Sequence, residues 1–166
     1  MNAVVEVSYS HKGSALRAIL VGGLIAGAMD ITFAIVSSRF HGVDATTILQ
    51  SVASGVQGSA AYEGGSASAV LGFILHFAMM LLIAAIFVWV RRVGPSIVRQ
   101  SPFLTGPLYG VAVYFVMNRV VIPLSAFPMK VDYIPATFLS LAAHMFFIGL
   151  PIAYFASRFD RLDGRR

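Results

Sequence analysis

Cysteine is absent from this chain and charge is scarce. Without cysteine there is no disulfide, no thiolate metal site and no iron–sulfur cluster. Of 166 residues, 12 are Lys or Arg and 7 are Asp or Glu. That is 11% charged, where soluble domains carry about 25%. A water-soluble domain of this length must cover its surface with polar groups, and they are not here. The shortage argues against a soluble enzyme, a nucleic-acid binder and a disordered chain. Catalytic signatures are missing as well: there is no G-x-S-x-G, no H-E-x-x-H and no phosphate-binding P-loop.

What is present is apolar. Hydrophobic residues make up 58%, and mean hydropathy is +0.82. The charges cluster, leaving long gaps: 18–38 holds only Asp30, and 64–90, 100–118 and 133–157 hold none. A membrane helix needs ~20 mostly apolar residues. Four stretches qualify, at about 17–38, 67–90, 103–123 and 134–157. Barrel strands would alternate polar and apolar residues, and runs such as LGFILHFAMMLLIAAIFVWV do not. The fold class predicted is all-α: a polytopic bundle of four transmembrane helices forming a single domain over 1–166. The first apolar stretch begins late, holds Asp30 and lacks a small-residue cleavage site, so it reads as a retained span.

Lys and Arg in the flanks set the orientation. Lys12, Arg17, Arg91, Arg92, Arg99, Arg158, Arg161, Arg165 and Arg166 fall on one side. Arg39 and Lys130 fall on the other, with Arg119 in or at the edge of span three. Both termini are therefore expected in the cytoplasm. The net charge of +5 orients the protein and meets anionic lipid; nucleic acid is not an expected partner.

Between spans one and two, Asp44 is placed to cap a helix over about 45–57. Ile48, Leu49, Val52 and Val56 share one face of it. Gly55, Gly58, Gly64 and Gly65 are expected to loosen its end. It reads as an interfacial helix covering the bundle, with a re-entrant loop as the other option. The halves of the chain resemble each other: Gly23-x-x-x-Gly27 is echoed by Gly106-x-x-x-Gly110, and spans two and four align on His76 and His144. Small residues four apart let helices pack closely.

Ionisable residues inside spans are costly, so each is a candidate site residue. They are Asp30, His76, Arg119 and His144, with Asn118 beside them. Asp30 lies 13 residues beyond Arg17, His76 15 before Arg91, Asn118 15 beyond Phe103 and His144 14 before Arg158. At 1.5 Å per residue all sit about 20–22 Å from the basic end, at one level of the outer half of the bilayer. The plainer roles are an Asp30–Arg119 ion pair, histidines bonded to backbone carbonyls, and Asn118 as glue between helices.

Three ligand readings use this layer. One is a b-type haem between His76 and His144. Another is a metal site, copper above all, from His76, His144 and Asp30 with Met79 and Met80 nearby, and Met117 and Met145 not far off. The third is a proton or small-solute path along Asp30, His76 and His144, in an oligomer, with Pro107, Pro123, Pro128, Pro135 and Pro151 breaking helices. The leading expectation is a non-enzymatic accessory or structural subunit, a homo-oligomer or part of a larger membrane complex, with this polar layer as its site.

The glycine pair of span one, His76 in an aromatic-rich second span, the Pro-bounded third span and His144 in the fourth together resemble the YagU-like bacterial four-helix inner-membrane proteins. The likeness covers the four spans. It implies a bacterial inner membrane and brings no activity or ligand; Asp30 and Arg119 have no counterpart in it.

Overall fold

The computed structural model describes residues 2–128 and 136–162, with side chains over 13–128 and 138–162. Lys130, Pro135, Arg165, Arg166 and the expected start of span four at Ile134 lie outside them, as does the side chain of Lys12. The described residues form helices and turns without a strand. Helix α1 runs Asn2–Arg39, α2 Ala45–Gln57, α3 Gly65–Val93 and α4 Pro102–Val116, followed by α5 Ile122–Leu124, α6 Ala136–Ala143 and α7 Leu150–Leu162. Four segments are long and apolar enough to cross a membrane: Gly13–Arg39, Gly65–Val93, Pro102–Leu124 and Phe138–Leu162. Even the shortest, 23 residues, spans about 34 Å as a helix, more than the ~30 Å hydrocarbon layer. The chain is an all-α, multi-pass membrane protein.

Two of the spans are not uniform helices. Span three widens into a π turn at Met117–Val121, and span four does so at His144–Gly149. Each wide turn ends two residues before a proline, Pro123 and Pro151. Proline has no N–H to give the carbonyl four residues back, and its ring collides with that carbonyl. Widening the preceding turn takes up the misfit and keeps the helix going. The prolines thus shape the turns that carry Asn118, Arg119 and His144.

Lipid tails are as apolar as leucine, so burial alone does little to hold these helices together; close packing must. α1 lies between α3 and α7, and α4 packs along span four. Ala26, Ala84, Ala153 and Ala156 bring backbones together around Phe87, Ile148 and Ile152. Gly23 and Gly27 of α1 face Met80, Leu81 and Phe77 of α3; Gly106 and Gly110 of α4 press on Gly149, Leu150, His144 and Met145 of span four. A polar bond adds to the packing where the Tyr109 hydroxyl donates to the Ile83 carbonyl across α4 and α3 at 2.7 Å.

The α2 helix begins where the Asp44 carboxylate accepts from the Thr47 N–H at 2.9 Å. Its far end is a defined turn where loosening was expected. Gly58 and Gly65 take left-handed backbone, φ +62° and +55°, which reverses the chain from α2 into α3 at no steric cost. Gln50 Nε2 donates to the Gly65 carbonyl at 3.0 Å, and Ser68 Oγ to Gln57 Oε1 at 2.9 Å, fastening α2 to the head of α3. The Ala126 N–H donates to the Gly55 carbonyl at 2.9 Å and ties α2 to the end of span three. Beneath α2, span two and the broken part of span three enclose an uncharged cavity of about 610 Å³ lined by Val52, Val56, Met79, Leu82 and Met117.

Candidate functional site

Two of the candidate residues, His76 and His144, are each tied to a backbone carbonyl. His76 is buried on α3, and its Nε2 lies 3.0 Å from the Gly27 carbonyl on α1. Gly27 is three residues before Asp30 on the same helix, so the bond draws span two onto the turn that carries the carboxyl. His144 opens the π turn of span four, with Nδ1 2.8 Å from the Ser140 carbonyl. The Asp30 carboxyl is in electrostatic range of both imidazoles, so three spans each bring one ionisable group to one region.

The two carbonyls fix the tautomers. A carbonyl only accepts, so neutral His76 carries its proton on Nε2 and neutral His144 on Nδ1. The second nitrogen of each ring, Nδ1 of His76 and Nε2 of His144, is left as a base. Aromatic edges hold the rings in place: Phe77 stands at 90° to His76, with centroids 5.3 Å apart, and Tyr114 at 86° to His144, also at 5.3 Å. The chemistry available is uptake and release of protons at one carboxyl and two imidazoles.

Asn118 and Arg119 behave differently. The Asn118 amide donates to the Tyr114 carbonyl of its own helix at 2.8 Å. This bond occupies it within span three; it was expected between helices. Arg119 is exposed on the π turn of span three.

The metal and haem readings can be tested against this arrangement. Among the described residues, no three of His, Cys, Asp and Glu are placed to hold a metal ion. Met79 faces the uncharged cavity under α2, while Met80 is buried in the core and packs near Gly27. The soft donors expected for copper are therefore not gathered at the histidines. A haem needs one ring nitrogen of each histidine aimed at one iron. The nitrogens left after the carbonyl bonds are Nδ1 of His76 and Nε2 of His144. The copper set expected from the sequence is not gathered among the described residues.

Comparison with family models, with curated proteins and with solved structures finds no match. The site's own geometry carries the functional reading.

Two features had no clear signal in the sequence. Asp160 pairs with Arg91, Oδ2 to Nε at 2.6 Å, both side chains largely withdrawn from solvent. Tyr109, half-buried, stacks at an angle on Phe87 and bonds across to α3. Asp160 lies 69 residues from Arg91, too far for any local pattern. For Tyr109 the only available cue is a hydroxyl within an apolar span, since such a group must find a partner.

Proposed function

We propose that this chain is a non-enzymatic component of a bacterial inner membrane that takes up and passes protons at Asp30, His76 and His144. The observation that carries this reading is a pair of imidazoles on two spans, each tied through one ring nitrogen to a backbone carbonyl, with His76 meeting the Gly27 carbonyl one turn before Asp30. Ionisable groups at membrane depth mark ion and proton routes when they face one another inside a bundle. Each imidazole keeps one basic nitrogen after its carbonyl bond, so the site can hold a proton without losing the contacts that position it. Four spans are few for a complete path, and the working form is an oligomer or a subunit of a larger complex. The basic end, with Arg17, Arg91, Arg92, Arg99, Arg158 and Arg161, faces the cytoplasm by the positive-inside rule. The likeness to YagU-like proteins agrees with this membrane.

Proteoliposomes with an entrapped pH dye provide the test. Wild-type protein should dissipate an imposed pH gradient, and Asp30→Asn should slow this by at least about tenfold, the loss expected for a required intramembrane carboxyl. Gradient decay equal in wild type, Asp30→Asn and empty vesicles rules out the path.

A further inference from the structure

At the basic end of the bundle, away from the proton site, lies a cavity of about 760 Å³. Its size falls among those of small-molecule sites, about 300–1,000 Å³. Arg91, Arg92, Arg99 and Arg161 line it, together with the start of α4. The walls hold four arginines and a single carboxylate, Asp160.

Arg91 is paired with a carboxylate, while Arg99 and Arg161 are aimed by backbone carbonyls and keep their charge. Asp160 takes Arg91 through Nε at 2.6 Å, and Arg91 Nη1 donates to the Val98 carbonyl at 2.9 Å. Arg99 Nη1 donates to the Arg91 and Gly94 carbonyls at 3.4 and 3.2 Å. Arg161 Nε donates to the Ser157 carbonyl at 3.3 Å. A carbonyl orients a guanidinium without neutralising it. A guanidinium carries five N–H donors, and each of these bonds to a carbonyl uses one nitrogen. Planar forks fixed in this way match the oxygens of a phosphate.

We propose that this cavity binds a phosphate-bearing anion, either the headgroup of an anionic phospholipid or a soluble phosphate compound. Like charges drawn together from the end of α3, the turn after it and the end of α7 repel one another. A bound dianion or lipid phosphate relieves that repulsion and bridges three elements. The cavity lies at the ends of the spans, at the depth where headgroup phosphates sit, and it is open enough to admit one.

Two arms separate the sources. In the first, protein is reconstituted in mixed phosphatidylcholine and phosphatidylglycerol bilayers, extracted gently, and weighed intact by native mass spectrometry. In the second, lipid-free protein in a neutral detergent is titrated calorimetrically with inorganic pyrophosphate against chloride at matched ionic strength. R99Q/R161Q removes two exposed cavity arginines; R17Q/R158Q removes two exposed arginines of the same end that do not line the cavity. Retained phosphatidylglycerol identifies the lipid source, and pyrophosphate binding identifies the soluble one. In either case R99Q/R161Q should reduce binding at least tenfold and R17Q/R158Q less than twofold. R99K/R161K keeps the charge and loses the forks, and should fall between wild type and R99Q/R161Q. It also serves as the cavity variant if the glutamines disturb folding. No binding in both arms overturns the proposal. So does an equal loss in R17Q/R158Q, which would reduce the effect to general surface charge.

Discussion

Single atoms decide how closely spans three and four approach. A Cβ added at Gly110 would run into the His144 carbonyl, and one at Gly149 into the Gly106 carbonyl. These neighbours are backbone and cannot swing aside. Gly110→Ala should therefore destabilise the protein by about 1–3 kcal/mol, the usual cost of overpacking. Unfolding by sodium dodecyl sulfate in mixed micelles can measure this. Gly13→Ala meets nothing within 4 Å and should instead gain up to about 1 kcal/mol from helix propensity. At the basic end, Arg91→Gln leaves Asp160 withdrawn from water without its cation, with an expected loss of about 3–5 kcal/mol. Replacing both partners, as Arg91→Met with Asp160→Leu, should recover much of it in the same assay. The glycines were legible in the sequence because a spacing of four has a direct geometric meaning on a helix. Arg91 was legible only as a flanking charge, because its partner lies on another span and no local pattern joins them. Asp30 was legible as a costly charge in an apolar span, and the sequence set it beside His76 and His144 by depth alone.

Several polar bonds fasten α2 to its neighbours. The Thr47 backbone N–H holds the Asp44 carboxyl below the usual carboxylate range, with Arg39 adding a smaller push in the same direction. A carboxyl whose folded pKa is lowered contributes stability that is complete above its unfolded pKa, about 3.9. That contribution is lost as pH falls through the lowered folded value. Amide exchange in 45–52 should therefore stay protected at pH 5 and rise as pH drops below about 4. In Asp44→Ala, exchange there should be faster at every pH and lack this acid step. An acid step of the same size in Asp44→Ala would place its origin elsewhere. The cap and the start of α2 could be read from the sequence, because a capping carboxyl followed by a periodic apolar face is a local signal. The π turns could not. Proline marks a break, and only packing decides between a kink, an end and a widened turn. His144 sits at the first residue of one such turn, so its direction, and with it the site, followed from a choice made by tertiary contacts.

In the whole molecule the two halves place their parts alike. The second glycine of each pair lies against the histidine region of the next span: the Gly27 carbonyl meets His76, and Gly110 meets the His144 carbonyl. The proposed proton site and the basic cavity then lie at different levels of one bundle. The orientation of the chain decides which compartment each of them serves. The described arginines at the cavity end, six against Arg39 and Arg119 elsewhere, predict by the positive-inside rule that this end faces the cytoplasm. The absence of cysteine makes this directly testable, since any single cysteine introduced is the only thiol. Ser96 is exposed in the turn between α3 and α4, and Ser59 is exposed in the turn between α2 and α3. In intact spheroplasts a membrane-impermeant maleimide should label Ser59→Cys and leave Ser96→Cys unlabelled until the membrane is opened. Labelling of Ser96→Cys alone would invert the topology. The arginine cavity would then open to the outside, the Asp30 site would lie nearer the cytoplasm, and soluble phosphate from the cell interior would be ruled out as its ligand.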